Sequence, residues 1–279
     1  MSQELLQLGH SPDPDDAFMF YGLATGKVPT GRWRFEHVLQ DIQTLNERAC
    51  RGELHITAIS IHAYPSVARH YALTNCGASM GDGYGPLVVS REPLTVEELA
   101  GKTIAVPGEM TTAFLVLNLL LGKGCFSHRV VMFDQILDRV ASGQADAGLI
   151  IHEGQLTYTN HNLHKVIDLG QWWYTQTGLP LPLGGNCIRR DLGTPAMKPI
   201  AGILRSSIEY SLTHRTEAVT YALEYARDMG RELADEFIGL YVNEWTLDYG
   251  DTGRQAVGEL LRRACDIGMT PDPGVIEFI

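Results

Sequence analysis

The stretch Ala147-Gly148-Leu149-Ile150-Ile151-His152-Glu153 is an unbroken apolar run that ends on an imidazole and a carboxylate. A short run of this kind, bounded by polar residues, reads as a strand buried on both faces, the form strands take in parallel sheets. Just before it, Ile136, Leu137, Val140 and Ala141 recur at helical spacing over 135–142, with Asp134 placed as a cap. Further out, a strand is expected at Thr103–Val106, ended by Pro107-Gly108, then an almost wholly apolar helix from Thr112 to Leu121. Another strand follows at Arg129–Phe133. On the other side come a strand at Val166–Leu169, Gly170 and a short helix carrying Trp172 and Trp173.

The same alternation opens the chain. Leu5–Leu8 reads as a first strand, and Ser11-Pro12-Asp13-Pro14-Asp15-Asp16 as a turn. A helix follows on Ala17, Phe18, Phe20, Tyr21 and Leu23, with Asp15 or Asp16 suited to its N-cap and Gly26 as its stop. Trp33–Leu39 alternates as a strand, Asp41 caps a helix on Ile42, Leu45 and Ala49, and Ile56–Ile59 is a strand ending at Ser60, with a helix reaching to about Tyr71. Leu87–Ser90 reads as a strand leading out of the first lobe. After Thr194 the pattern is helical to the end. Strands alternating with helices indicate an α/β fold. The weak boundaries near Ser90 and near 178–184 divide it into a larger discontinuous lobe, 1–90 plus 181–279, and an inserted lobe, 91–180, with a cleft between them.

Composition narrows the function. The chain has 279 residues, 22 Lys and Arg against 33 Asp and Glu, and a formal charge of −11. Hydrophobic residues make up 44% and charged residues 20%, as in ordinary globular domains, so disorder is excluded. No basic stripe is present, which argues against nucleic acid as a partner. The longest apolar stretch, Ala113–Leu121, is interrupted by Asn118 and too short to span a bilayer. The N-terminus has no basic start, apolar core or cleavage site of a secretory signal, so a cytoplasmic protein without a membrane partner is expected. The five cysteines are scattered without a C-x-x-C, so they read as reduced thiols, mostly buried, and not as a disulfide framework or zinc site.

In α/β sheets, ligands bind outside the C-terminal ends of strands. His152 stands at such an end, where an imidazole near its ordinary pKa can accept a proton; the bland alternative is a core histidine satisfied by backbone. Glu153, next along the chain, reads as solvated. Thr111 and Thr112 open the apolar helix, where free amides attract an anion, or they serve as an ordinary cap. Ser60 carries the same ambiguity. Asp13, Asp15 and Asp16 look at first like cation ligands, but a capped turn accounts for them, and no metal is expected. His161 and His164 sit in a polar loop without metal-site context. Gly81-Asp82-Gly83-Tyr84-Gly85 lacks the lysine and following helix of a phosphate cradle and reads as a mobile loop. No G-x-G-x-x-G is present, so a nucleotide cofactor has no support. Trp172-Trp173 reads equally as core packing or as an aromatic wall over a ring ligand.

Taken together, several motifs resemble the 1,4-dihydroxy-6-naphthoate synthases of the futalosine route to menaquinone. They are Ser11-Pro12-x-Pro14-x-Asp16-x-Phe18, Asp41-x-x-Thr44-Leu45-Asn46, Pro107-Gly108-x-x-Thr111-Thr112-Ala113 and Ala147–Glu153. Asp168-Leu169-Gly170-x-Trp172-Trp173, Thr177–Gly184 and Tyr241-Val242-Asn243 with Leu247-Asp248 continue the series in the same order over nearly the whole chain. The resemblance implies a two-lobed fold like a type II periplasmic binding protein, used as an enzyme. It implies a lyase that splits cyclic dehypoxanthine futalosine into 1,4-dihydroxy-6-naphthoate and dihydroxyacetone, a small-molecule carboxylate substrate and no cofactor. The family's catalytic histidine falls on His152, and its polar ligand contacts fall on Asp16, Asn46, Ser60, Thr111 and Thr112. Asp15, where the family often has Asn, and Gly184-Gly185-Asn186 depart from the pattern. Chorismate dehydratase of the same pathway and a solute-binding protein for a small organic acid are the competing readings. The oligomeric state stays open.

Overall fold

The computed structural model describes residues 3–226 and 229–279. Its strands among these residues are β1 (Glu4–His10), β2 (Trp33–Leu39), β3 (Ile56–Ser60), β4 (Tyr71–Leu73), β5 (Ser79–Gly81), β6 (Leu87–Ser90), β7 (Thr103–Val106), β8 (Ser127–Val130), β9 (Ala147–Ile150), β10 (His164–Asp168) and β11 (Leu181–Arg189). They form two sheets. The first runs β2-β1-β3-β11-β4, with β5 also paired to β11; the second runs β10-β6-β9-β7-β8.

In the first sheet β1 is parallel to β2 and β3, and β11 returns antiparallel to β3. In the second, β7 is parallel to β8 and β9, while β6 runs antiparallel to β9 and β10. The chain therefore leaves the first sheet after β5 and returns at β11, the topology of one α/β unit inserted in another. β6 is paired on both sides within the second sheet. A division at residue 90 thus cuts this sheet, and we propose the boundary at about 86.

β9 is buried at every position, as an interior strand of apolar residues must be. The helix Thr112–Leu121 is buried from Thr112 to Asn118 and exposes only its last turn partly. It packs in a core that joins both sheets, with Tyr64, Tyr71 and Leu73 from one unit and Val88, Leu149 and Trp173 from the other. Asn118 is tolerated there because its Nδ2 donates to the Phe114 carbonyl at 2.8 Å. A second core lies between β1 and the helices Pro14–Met19, Thr194–Thr213 and Arg215–Ala222, around Phe18, Phe20, Ile200 and Leu204.

Several local expectations change. β11 is a nine-residue strand where Pro182 and Gly184 suggested only a return path. The segment expected as a helix to Tyr71 is a 3-10 turn and the helix Tyr64–Val67, and Tyr71 begins β4. Trp173 is fully buried, with its indole N–H donating to the Pro180 carbonyl at 3.1 Å, so it is core rather than a ligand wall. The loop expected to be mobile is pinned: the Tyr84 hydroxyl donates to the Leu240 carbonyl, and Gly85 packs on Gly170, where a Cβ would sit 1.9 Å from the Tyr84 oxygen. Among the described residues all five cysteines are free; Cys76 and Cys187 are buried and Cys125 is exposed. No helix among the described residues is long and apolar enough to cross a membrane.

Candidate active site

The parallel strands of both sheets point their C-terminal ends at one cavity of about 780 Å³, measured with its open mouth. After β1 come Ser11, Asp13, Asp15 and Asp16; at the end of β3 is Ser60; after β7 come Thr111, Thr112 and Ala113; after β9 comes Ile151. β11 supplies Gly184, Gly185 and Asn186, because its register sets Gly184 against Ser60 and Asn186 against Ala58. Tyr241, the last residue of the helix Arg231–Tyr241, completes the lining. Among the described residues no lysine or arginine lines the cavity.

Four of the residues singled out from the sequence, Asp16, Ser60, Thr111 and Thr112, line this cavity; Asn46 and His152 do not. Asn46 is fully buried behind Ser60. Its Oδ1 accepts the Ser60 amide proton at 2.8 Å, and its Nδ2 donates to Ser60 Oγ at 3.0 Å. The amide proton fixes which end of Asn46 is oxygen, so Ser60 Oγ is an acceptor from Asn46 and keeps its own proton for the cavity. Asp41 sets this helix in place, its carboxylate accepting the Thr44 amide at 3.0 Å.

The two threonine hydroxyls are committed elsewhere. Thr111 Oγ1 donates to the Gly108 carbonyl at 2.8 Å and accepts the Phe114 amide at 3.2 Å, which makes it the N-cap. Thr112 Oγ1 donates to the Leu183 carbonyl at 2.6 Å and accepts the His62 amide at 3.2 Å, tying the two units together. What remains at this helix start are the amides of Thr112 and Ala113, which find no acceptor among the described residues. Free amides at the positive end of a ten-residue helix form an anion seat.

The opposite unit contributes acid. The expected capping by Asp15 or Asp16 is not seen: the N-cap position is Asp13, without a side-chain cap bond, and Pro14 opens the helix. Asp16 turns back and accepts the Ser11 amide at 2.7 Å. Burial pushes its carboxyl up, and the Ser11 amide and hydroxyl oppose that. Asp15 is pushed well above the usual carboxylate range by burial, then by the charges of Asp16 and Asp13. Among the described residues no group of three or more His, Cys, Asp or Glu is arranged to hold a metal ion.

His152 is 5% exposed and Glu153 7%, so Glu153 is not solvated. The two lie in the turn after β9 rather than within it, so the alternation of a strand does not apply. The ring Nε2 donates to the Phe133 carbonyl at 2.7 Å. Nδ1 meets two opposite demands: the Gly154 amide at 3.0 Å needs its lone pair, and Glu153 Oε2 at 3.5 Å favours a proton there. Burial disfavours the imidazolium, but the Glu153 carboxylate and then the Asp13 charge outweigh it, and the pKa is raised. Asp13 thus stands in the electrostatic field of both His152 and the cavity it lines.

Sequence reading noted Gly184–Asn186 near the cleft as a departure from the family pattern, but did not single out Tyr241 as a lining residue. Tyr241 is more than two hundred residues from Asp15, and only the tertiary fold brings them together.

The comparisons with known proteins agree with this architecture. A family model described as menaquinone biosynthesis matches residues 6–266. A Streptomyces coelicolor protein named 1,4-dihydroxy-6-naphthoate synthase is 41% identical over 278 residues, 98% of each chain. A Thermus thermophilus protein of the same name is 42% identical over 271 residues, covering 97% of this chain and 98% of its own. A crystal structure from Archaeoglobus fulgidus superimposes with a TM-score of 0.90 at 43% identity, covering 95% of this chain and 98% of that one. The alkanesulfonate-binding protein of Xanthomonas axonopodis pv. citri shares the fold alone, with a TM-score of 0.72 at 13% identity over 99% of this chain and 97% of its own. The architecture is the periplasmic-binding-protein fold, and the chain belongs to the menaquinone-biosynthesis family.

Proposed function

We propose that this protein is a 1,4-dihydroxy-6-naphthoate synthase that cleaves cyclic dehypoxanthine futalosine to the naphthoate and dihydroxyacetone. The observation that carries the reading is end-to-end similarity to two proteins of that name, which spans both walls of the cavity. The chemistry of the lining is compatible with such a substrate. Its carboxylate is held by the Thr112 and Ala113 amides, and the free Ser60 proton, aimed by Asn46, donates to a second oxygen.

His152 is the general base of this proposal. Its support is its place after β9, its burial beside Glu153 and the reach of the Asp13 charge to it from the cavity wall. In the arrangement described, both ring nitrogens are engaged by backbone groups. Base action therefore requires the His152 ring to turn so that Nδ1 releases the Gly154 amide within its own turn. Removal of a proton from the sugar-derived part lets carbon–carbon bonds break, and aromatisation of the naphthalene ring drives release.

The test is incubation of the purified protein with cyclic dehypoxanthine futalosine and, separately, with chorismate. Naphthoate from the first is expected; dehydration of chorismate alone would overturn the assignment. His152→Ala is expected to bind the substrate and lose roughly 100-fold or more in turnover. A folded His152→Ala with near wild-type turnover removes the base role.

A further inference from the structure

We propose, on the reading that this cavity holds the naphthoate-forming substrate, that Asp15 works as a neutral carboxylic acid that donates a hydrogen bond to an uncharged ligand oxygen. Asp13, Asp15 and Asp16 lie on one turn of chain and all line the cavity, and among the described residues no lysine or arginine lines it with them. Three carboxylates on one turn of a partly dry cavity wall disfavour one another's ionisation. Burial raises Asp16 as well, but the Ser11 amide donates to its carboxylate at 2.7 Å and favours the charged form there. The charge of Asp13 acts on His152. Asp15 is the member left to hold the proton, and burial together with its two acidic neighbours raises it well above the usual range.

The wall beside it is built to match. Tyr241 gives its hydroxyl proton to Gln155 Oε1 at 2.6 Å, so its oxygen offers lone pairs. Gln155, which accepts that proton, is 8% exposed and stands behind Tyr241, outside the cavity lining. Tyr241 is held far from ionisation, by burial first. The titratable groups around Asp15 are thus Asp13 and Asp16 on its own turn, Tyr241 with Tyr84 and Asp168 across the cavity wall, and His152 with Glu153 beyond Asp13. Of these only His152 can become cationic, and Glu153 stands beside it.

The experiment has two arms. First, the Asp carboxyl carbons are titrated by ¹³C NMR without ligand, with Asp15→Asn assigning the resonance. Asp15 is expected to titrate well above the other aspartates, and an ordinary carboxylate titration overturns the proposal. Second, binding of 1,4-dihydroxy-6-naphthoate is measured by calorimetry from pH 5 to 9. Wild type is expected to weaken tenfold or more on the alkaline side. Asp15→Asn, which keeps a donor that cannot titrate, rescues binding at high pH, and Asp15→Ala is tenfold or more weaker at every pH. An Asn variant that parallels wild type, or an Ala variant that binds as well as the Asn one, also overturns it. If none of the proteins binds the naphthoate, the ligand reading fails while the first arm still decides the state of Asp15.

Discussion

Replacing Asn46 by aspartate tests the claim that a residue outside the cavity controls a donor inside it. The new carboxylate can still accept the Ser60 amide proton, now taken by Asn46 Oδ1 at 2.8 Å. It cannot donate to Ser60 Oγ as Nδ2 does at 3.0 Å. The Ser60 hydroxyl must then turn and donate to the introduced carboxylate, and the cavity loses its proton. A neutral hydrogen bond contributes about 1 kcal/mol and one to a charged group about 1.5–3 kcal/mol, so affinity for the naphthoate should fall roughly five- to a hundredfold. Calorimetric titration reads this directly, with urea unfolding as the check on the fold. Because Asn46 acts through Ser60, the double variant Asn46→Asp with Ser60→Ala should bind no worse than Ser60→Ala alone. Additive losses, or wild-type affinity in Asn46→Asp, would refute the reasoning.

Other outcomes follow from the same contacts. His10 and His37 share a 2.9 Å ring contact, and burial holds each at about 4, below the ordinary 6.5. Their lowered pKa means that the unfolded chain takes up protons first, so the stability they confer is complete above pH 6.5 and is lost as the pH falls toward 4. Urea melts should show a loss of about 3 kcal/mol for each of the two histidines across that window, and a flat profile would contradict the assignment. Asp15 has the opposite sign: its raised pKa lowers stability as the pH rises above the unfolded value, so Asp15→Asn should raise the melting temperature at neutral pH and lose that advantage in acid. Gly170→Ala would set a Cβ 1.9 Å from the Tyr84 carbonyl oxygen, a backbone atom that cannot step aside; a destabilisation of about 3 kcal/mol is expected by denaturant unfolding.

The parts of the fold legible in the sequence are those whose cause is local. β9 and the helix Thr112–Leu121 announce themselves by continuous apolarity, and Asp41 by its spacing to the helix it caps. β11 is hidden because Pro182, Gly184 and Gly185 look like turn residues. Its strand form comes from pairing with β3, and its smallness has a reason no local pattern carries: a Cβ at Gly185 would meet the Tyr249 hydroxyl at 2.2 Å. The same division runs through the site. Asp16, Ser60, Thr111 and Thr112 could be placed at strand ends and helix starts, where the topology of α/β sheets puts ligands. Which of their atoms are free could not, since the partners of Thr112 Oγ1 are Leu183 and His62, far away in the chain.

The distribution of charge fixes how a carboxylate must enter. The chain carries −11 overall and lines its cavity with three aspartates, so neither the long-range field nor the wall after β1 attracts an anion. The favourable end is the start of the helix Thr112–Leu121, in the other unit, where the threonine hydroxyls are spent and only amides remain. On the proposed function, an acid ligand seats its charged group on the second unit and turns its uncharged oxygens toward Asp15 and Tyr241 on the first. The acidic wall then acts as an orienting device: a carboxylate entering the other way round would face Asp13 and Asp16 with no cation among the described lining residues to offset them.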